Sequence, residues 1–334
     1  MRFLIITTLL MASHSHSFEF EKGCGDFTFD SPQTSAALML SGGAGGNKPG
    51  EKSATQKWLE LSGGGDLVVL RSNGTGRQAK WLCSQFPDLV KSAAEISIDS
   101  IEDANHPLVN KLIKNSEVIW IAGGDQNRYE DFWKGTALAK NLNQHIKTKA
   151  IGGTSAGMAI LGQTYYAPRH KKAVIGSELL NNPYHKEAQD LFHADLINHP
   201  LLENTYNETH VDRTLEGETR HSRMAGFLAR AQAEQPNKKM KAIGLNEGSY
   251  LVADEFGIGQ TFGNKAYFLN AKSKPENLTA NTPINWVNNK AAIEVYEISG
   301  NGESGNGDFS LLTWRGFKGG KRKNWFIEDG KLRP

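Results

Sequence analysis

The sequence predicts an α/β fold in which a mostly parallel sheet is covered by helices on both faces. One observation is that short apolar runs alternate with helix-compatible segments at short intervals through the first half of the chain. Another is that several of these runs end in paired glycines and polar residues, a pattern typical of turns at the carboxyl edge of a parallel sheet. A chain of 334 residues without an internal repeat or a low-complexity linker indicates one large domain.

The predicted elements follow from apolar runs, helical periodicity and turn residues. The predicted strands are residues 35–40, 66–71, 95–98 and 117–122, followed by the short run that enters the turn at Ser155. The predicted helices are residues 52–62, a segment through Trp81 and Leu82, residues 105–114 and residues 129–142. Glycine-rich residues 300–307 predict a hairpin-like loop between two late strands, so a β-rich carboxyl-terminal part is expected.

Residues 1–17 predict a signal peptide. Met1 and Arg2 give a positive start, residues 3–12 form an apolar core, and small residues alternate from Ser13 to Ser17. This apolar core is too short to cross a bilayer, which takes about 20 residues. We therefore expect cleavage after Ser15 or Ser17 and a periplasmic or secreted mature protein, residues 18–334, that is not bound to a membrane. The alternative is a buried amino-terminal strand.

Cysteines, charge and loop spacing narrow the possible partners. Cys24 and Cys83 could form one disulfide in an exported protein, or both could be free and buried. The formal net charge of +2, without a basic stripe interleaved with aromatic residues, gives no case for nucleic acid. The glycine-rich loop at residues 41–47 lacks the spacing of a phosphate-binding loop and is interpreted as a substrate-side loop. The chain has no His-Glu-x-x-His sequence, and we expect neither metal nor cofactor.

A Gly-x-Ser-x-Gly sequence centred on Ser155 is the first candidate for chemistry. An apolar run enters this turn and a helix-compatible run from Ala156 leaves it. A serine at a sharp strand-to-helix turn needs small neighbours and presents its hydroxyl at the positive end of a helix. The alternative interpretation is a tight glycine turn whose serine is incidental.

Three further segments could complete a site around Ser155. Gly123-Gly124-Asp125-Gln126 also follows a strand, so one of its amides could bind the same oxyanion as the Ala156 amide, although Asp125 could simply cap a helix. The segment around His210 could supply a base, but the chain has ten histidines and composition cannot choose among them. Glu247 ends an apolar strand and could orient an imidazole.

Four motifs in order resemble the cyanophycinases and, more broadly, the S51 serine peptidases, which include the aspartyl dipeptidases. The motifs are Ala-Gly-Gly-Asp-Gln, Gly-Gly-Thr-Ser-Ala-Gly, Thr-His followed by spaced arginines, and Ile-Gly-Leu-Asn-Glu-Gly, within residues 35–330. The resemblance implies a flavodoxin-like sheet related to class I glutamine amidotransferases, and a homodimer as a reasonable expectation. It also implies a Ser155, His210, Glu247 triad with oxyanion amides from Gly124 and Ala156.

The resemblance further implies a substrate with an aspartyl peptide bond. In cyanophycinases this is the β-aspartyl-arginine unit of cyanophycin, and Glu208, two residues before His210, would suit the arginine guanidinium through a charge-assisted fork. Gln126, Arg220 and Arg223 resemble positions that hold the aspartyl part. The expected function is an exported serine peptidase that releases β-Asp-Arg dipeptides through an acyl-enzyme.

Three alternatives remain at this point. One is an isoaspartyl or aspartyl dipeptidase of the same family. Another is an α/β-hydrolase esterase, although that fold orders its triad serine, acid, histidine, and no histidine follows His221 here. The third is a non-catalytic exported binding protein on the same fold.

Overall fold

A computed structural model describes residues 18–29, 34–46, 48–170 and 172–334. The predicted signal peptide, residues 1–17, lies outside the described residues. Among the helices of the described residues, none is both long and apolar enough to cross a membrane.

Strands and helices alternate through the first half of the described chain, as the sequence predicts. The strands are β1 (Phe20–Cys24), β2 (Leu38–Ser41), β3 (Gly65–Arg71), β4 (Val90–Ser97), β5 (Val118–Ile121), β6 (Ala150–Thr154), β7 (Thr164–Tyr166), β8 (Leu191–His193), β9 (Thr205–Glu208), β10 (Lys241–Leu245), β11 (Ser249–Ala253), β12 (Ile258–Ala271), β13 (Ile293–Ser310), β14 (Arg315–Lys318), β15 (Gly320–Glu328) and β16 (Lys331–Arg333). The α-helices are α1 (Glu51–Ser62), α2 (Gln78–Gln85), α3 (Ile101–Asn105), α4 (Pro107–Asn115), α5 (Gln126–Trp133), α6 (Ala137–His145), α7 (Ala156–Leu161), α8 (Gly176–Asn181) and α9 (His221–Glu234).

The predicted α/β fold class is confirmed, and its parallel pairing is concentrated in the amino-terminal half. The parallel centre of the sheet has the order β4-β3-β5-β6-β2. When β3 is counted as the first strand, β4-β3-β5-β6 follow the 2-1-3-4 order of a flavodoxin-like sheet, and β2 takes the fifth place. From β11 onward most pairs are antiparallel, and β12 to β16 form the expected β-rich carboxyl-terminal part. The carboxyl ends of β5, β6 and β2 therefore lie at one edge.

Alternate residues of each central strand are buried on opposite faces of the sheet. Leu38 and Leu40 of β2 belong to a core built with α4 to α7, whereas Met39 packs in a second core with Trp58 of α1. A strand whose successive side chains are all buried must be covered on both sides. The near-continuous apolar runs in the sequence follow from this double burial.

The predicted helix over residues 129–142 is wrong in its extent, because two helices occupy this region. Helix α5 ends at Trp133, and Gly135 has a φ of 73°, a left-handed conformation that does not continue a helix. Thr136 then caps α6 by accepting a hydrogen bond from the Ala139 amide. Gly135 and Thr136 both indicate a break in the helix. The helical periodicity on either side of them nevertheless predicted one continuous helix.

The predicted loop at residues 300–307 is also wrong, because this segment belongs to β13. Strand β13 runs from Ile293 to Ser310 along β12, with Thr261 opposite Gly307 and Lys265 opposite Ser299. The register shifts on both sides of Gly263, so the extra residues of β13 form a bulge rather than a turn. Glycines are common in bulges as well as in turns, and the sequence alone did not separate the two.

Cys24 and Cys83 form a disulfide, the first of the two alternatives left open by the sequence. The bond joins β1 to α2 across 59 residues. Closing a loop of this length is worth about 4 kcal/mol in the chain-entropy model. It holds α2 against the edge of the sheet.

Candidate active site

Ser155 occupies a strained turn between β6 and α7. Its φ of 51° and ψ of −118° lie in a region that residues other than glycine rarely adopt. Its amide donates to Ser41 O (3.0 Å), which ties the turn to the end of β2. A Cβ on Gly157 would lie 2.2 Å from Ile121 O, so the last glycine of the motif lets α7 begin directly against β5.

His210 reaches Ser155 from the loop that follows β9. Its Nε2 lies 2.7 Å from Ser155 Oγ, and its amide donates to Gly42 O (2.9 Å). The imidazole lies against Gly43, where an added Cβ would be 2.1 Å from His210 Cε1. The loop after β2 thus positions the histidine. Sequence reasoning assigned this loop to the substrate side and missed this packing role, for which the Ser-Gly-Gly sequence was the available signal.

Glu247 lies in the turn between β10 and β11 and completes a hydrogen-bonded chain. Its Oε1 is 2.7 Å from His210 Nδ1. Asp212 Oδ1 accepts a hydrogen bond from the Glu247 amide (2.8 Å), which fixes the turn relative to the histidine loop. This contribution of Asp212 was not predicted, because no sequence pattern indicates that its carboxylate meets the amide of a residue 35 positions away.

The surroundings of His210 favour a neutral imidazole. Burial lowers its pKa, the Glu247 carboxylate raises it, and nearby Arg220 lowers it further, with a net shift below the ordinary value. A Glu247 carboxylate facing Nδ1 selects the tautomer with a proton on Nδ1, which leaves Nε2 free to accept from the Ser155 hydroxyl. The pair is therefore arranged for proton transfer from serine to histidine.

The glycine pair after β5 lies beside Ser155, as predicted. A Cβ built on Gly123 would lie 3.3 Å from Ser155 Cβ and 3.8 Å from its Oγ. Neither the Gly124 nor the Ala156 amide has a hydrogen-bond acceptor in the described part of the chain. Asp125 caps α5 through the Asn127 amide (3.0 Å), and Gln126 is the first residue of that helix. Both interpretations of this segment, an amide source and a helix cap, are compatible.

Glu208 and Arg223 form a buried ion pair beneath the histidine loop. Arg223 Nε and Nη2 donate to the two carboxylate oxygens (3.0 and 2.5 Å), and Tyr206 Oη donates to the same carboxylate (2.9 Å). The side chains of Glu208 and Arg223 are 2% and 6% exposed. Burial opposes ionisation of Glu208, but the Arg223 charge outweighs it and lowers the pKa of the carboxyl.

This geometry corrects the expectation that Glu208 and Arg223 read the substrate. Each satisfies the other, so neither presents an open fork to a guanidinium or a carboxylate. Arg220 is more open: its side chain is 20% exposed, and its Nη1 donates to Thr209 O (3.0 Å) and lies 4.0 Å from Glu208 Oε1. Arg220 and Gln126 therefore remain the candidates for substrate binding.

Replacing Glu208 with glutamine should lower the free energy of unfolding by about 3 to 5 kcal/mol, because the variant leaves the Arg223 charge buried without a counter-ion. Denaturant unfolding followed by circular dichroism measures this loss. Glu216→Gln is the matched control, since Glu216 pairs with Lys172 while their side chains are 51% and 39% exposed. Equal losses in the two variants would contradict a special role for burial of the Glu208 pair.

One group of possible metal ligands occurs in the described residues. Ligand atoms of Glu178, His185 and Glu187 lie within 4.8 Å of one another. Lys172 Nζ already donates to Glu178 (3.1 Å), and the His185 ring lies 2.6 Å from Glu187. The hydrogen-bonded contacts from Ser155 through His210 to Glu247 include none of these three residues.

A serine at a strained strand-to-helix turn, in contact with a histidine that is itself in contact with a carboxylate, is the arrangement of a serine hydrolase. The family model of peptidase family S51 matches residues 37–259, more than half of the chain. The chain belongs to peptidase family S51 and is a serine-type peptidase. This membership decides against the α/β-hydrolase esterase and the binding protein.

Two solved structures are similar at low identity. A peptidase from an acI-B1 Actinobacterium is 16% identical, with 70% of this chain and 91% of that chain covered and a TM-score of 0.49. A protein from Listeria monocytogenes EGD-e assigned as a peptidase E is 13% identical, with 67% and 96% covered and a TM-score of 0.37. No curated protein matches the chain.

Proposed function

We propose that Ser155, His210 and Glu247 are a catalytic triad that hydrolyses aspartyl peptide bonds through an acyl-enzyme. The observation that carries this proposal is the continuous contact from Ser155 Oγ through both ring nitrogens of His210 to Glu247, with each distance 2.7 Å. The three residues are 55 and 37 positions apart in sequence, so the alignment results from the fold rather than from chain proximity. Membership of family S51 supports the reaction class.

The proposed reaction follows from which atoms can accept and donate protons. Ser155 Oγ attacks the scissile carbonyl carbon as its proton passes to His210 Nε2, and the Gly124 and Ala156 amides bind the developing oxyanion. The C–N bond then breaks, and Nε2 protonates the leaving amine. Water attacks the acyl-enzyme as Nε2 takes its proton, and Nε2 returns this proton to Ser155 Oγ when the acyl C–O bond breaks and the acid product leaves. Glu247 holds the ring and stabilises its positive form.

The buried ion pair of Glu208 and Arg223 favours an aspartyl peptidase that accepts many different residues after the aspartyl unit. An arginine-specific cyanophycinase would need an open carboxylate for the substrate guanidinium, and the oxygens of Glu208 are engaged by Arg223 and Tyr206. Arg220, beside His210 and with a side chain that is 20% exposed, is the cation proposed to face the aspartyl carboxylate. Cyanophycin is the second candidate substrate, because the four motifs around the triad resemble those of the cyanophycinases.

Export is proposed from two observations. The amino-terminal segment has the pattern of a signal peptide, and disulfides such as Cys24–Cys83 persist in oxidising compartments. Mass spectrometry of the protein from its native host should find a mature amino terminus near residues 16–18. An intact segment from residue 1 would contradict export. The homodimer stays a prediction.

A substrate panel tests the proposed function. The mature protein is incubated with cyanophycin, β-Asp-Arg, β-Asp-Leu, α-Asp-Leu and Ala-Leu, and free amines are measured. We expect cleavage of aspartyl peptides irrespective of the second residue and none of Ala-Leu. Cleavage restricted to cyanophycin and β-Asp-Arg would favour the second candidate, and cleavage of Ala-Leu at the same rate would contradict aspartyl specificity.

The pH dependence of kcat/KM should show an acidic limb below about pH 6.5, the ordinary histidine pKa. Only neutral His210 accepts the serine proton, and burial lowers its pKa, so activity is present above the shifted pKa and lost as pH falls through it. Glu247→Gln removes the influence that raises this pKa, and the acidic limb should therefore move to lower pH while kcat falls.

Glu216→Gln is the control for that experiment. It removes a carboxylate from the loop that contains His210. This carboxylate pairs with Lys172 (2.9 Å) rather than with His210. Its profile should match that of the unaltered protein. A limb that moves to higher pH in Glu247→Gln would show that another group controls the rate.

A further inference from the structure

The two glycines that follow β5 have no side chains to hold them in place. Gly123 lies against the Ser155 side chain, and Gly124 carries one of the two amides proposed for the oxyanion. A glycine adopts many backbone conformations at little cost, so its amide takes the direction that the neighbouring groups impose. The contacts around this glycine pair therefore decide where the Gly124 amide points.

The peptide group of Ala122, directly before the glycine pair, is held on both sides. The Ala122 amide donates to Leu70 O of β3 (2.9 Å), and the Ala122 carbonyl accepts a hydrogen bond from Tyr129 Oη (2.7 Å). The same carbonyl oxygen borders the start of α7, because a Cβ on Gly157 would lie 2.8 Å from it. Ala122 thus connects the glycine pair to the start of α7, the two places that supply the oxyanion amides.

The Tyr129 hydroxyl also lies beside the second of these glycines. A Cβ built on Gly124 would lie 3.7 Å from Tyr129 Oη and 3.4 Å from Ser72 Oγ, so both hydroxyls border this residue. Tyr129 is fully buried, and its ring packs edge-on against Trp133 with 4.5 Å between the ring centroids. Burial raises the pKa of Tyr129 well above its ordinary value, and the hydroxyl therefore keeps its proton as a donor.

We propose that Tyr129 is a positioning residue for the oxyanion hole, and that its hydroxyl, through Ala122 O, holds the Gly124 and Ala156 amides toward the oxygen of the tetrahedral intermediate. The inference rests on the proposed function, because it concerns the transition state of that reaction. Since its side chain is fully buried, Tyr129 acts through the backbone and not by touching the substrate. Donors aimed in advance at the developing charge stabilise the transition state more than the bound substrate.

Tyr129→Phe tests the inference, because it removes the hydroxyl and keeps the ring. Loss of one oxyanion donor costs about a hundredfold or more in kcat, so displacement of the amides should lower kcat for β-Asp-Leu by about tenfold or more. KM should change little. In the Ser155→Ala background, the same substitution should leave the Kd for β-Asp-Leu unchanged. Circular dichroism and thermal unfolding establish that each variant is folded at the assay temperature.

An aldehyde inhibitor separates a positioning role from a purely structural one. In aspartate β-semialdehyde a hydrogen replaces the leaving amine, so Ser155 Oγ can add to the carbonyl carbon and form a hemiacetal whose oxygen, which takes the serine proton, occupies the oxyanion position. The Ki of this aldehyde should rise in Tyr129→Phe by the same factor by which kcat/KM falls, because both depend on the same amides. Ser72→Ala removes the other hydroxyl that borders Gly124, and it should move Ki and kcat/KM together in the same directions.

Tyr296→Phe is the matched control. Tyr296 is 8% exposed, and its hydroxyl donates to Lys318 O (3.2 Å) in the β-rich carboxyl-terminal part. The variant also deprives a backbone carbonyl of its tyrosine donor, but at a place that holds no triad residue. It should keep the kcat, the KM and the Ki of the unaltered protein.

Three results would overturn the inference. They are an unchanged kcat in Tyr129→Phe, a fall in kcat without a rise in the aldehyde Ki, and a loss of β-Asp-Leu affinity in the Ser155→Ala background as large as the loss of kcat/KM. The first would show that the hydrogen bond to Ala122 does not position the amides, and the others that Tyr129 affects another step or substrate binding. Failure of the proposed function is a separate result, because the unaltered protein would then cleave no aspartyl peptide in the substrate panel.

Discussion

Ser155→Ala should lower kcat for aspartyl peptides by at least about a thousandfold, because loss of a triad nucleophile commonly costs more than this. The substitution removes Ser155 Oγ, which lies 2.7 Å from His210 Nε2. Alanine has the same Cβ and occupies the same φ of 51°, so the turn should persist. Steady-state hydrolysis of β-Asp-Leu measures the loss, and thermal unfolding measures the fold.

Ser84→Ala is the control for this experiment. Ser84 lies on α2 with its hydroxyl bonded to Trp81 O (2.9 Å), and its loss should leave kcat and the unfolding temperature nearly unchanged. Retention of more than about a hundredth of the rate in Ser155→Ala would show that Ser155 is not the nucleophile, since triad losses exceed that amount.

Gly43→Ala should lower kcat by about a hundredfold or more, although Gly43 has no reactive group. A Cβ at this position would lie 2.1 Å from His210 Cε1 and 2.4 Å from Nε2, so the imidazole must move away from Ser155. Misplacement of a catalytic group by about 1 Å is enough for a hundredfold loss. Steady-state kinetics should show a fall in kcat with a smaller change in KM, because the substrate contacts stay in place.

Gly46→Ala separates this clash from backbone strain. Gly43 and Gly46 have φ values of 107° and 102°, and both substitutions therefore strain the same loop. A Cβ on Gly46 would meet nothing within 4 Å among the described residues. Gly46→Ala should lose stability to a similar degree and keep most of its kcat. Equal losses of kcat in the two variants would show that loop strain, not displacement of His210, causes the effect.

Local patterns were enough to predict much of the fold. Apolar runs predicted β2 to β6, because a strand buried on both faces carries apolar side chains at successive positions. The serine turn was recognisable because a sharp strand-to-helix turn requires small residues, and Gly153, Ser155 and Gly157 are small. The two wrong elements, residues 129–142 and 300–307, are places where a break or a bulge depends on a few glycines.

The candidate site was predicted by motif resemblance rather than by spacing. Composition could not choose His210 among ten histidines, and the four motifs did. The same resemblance assigned Glu208 and Arg223 to the substrate, whereas the structure pairs them with each other. A motif specifies the residue type at a position. It does not specify whether a charged side chain contacts the substrate or another charged side chain of the protein.

The sequence by itself determined the order of strands and helices, the sharp turn at Ser155 and the residue types available for catalysis, since these depend on neighbouring positions. Only the tertiary structure decided that Gly43 makes room for His210, that Asp212 fixes the Glu247 turn and that Glu208 is neutralised by Arg223. It also decided that Tyr129 donates to Ala122 O beside the glycine pair. These relations join atoms far apart in the chain, and their distances are set by how the strands align and how the helices pack on them.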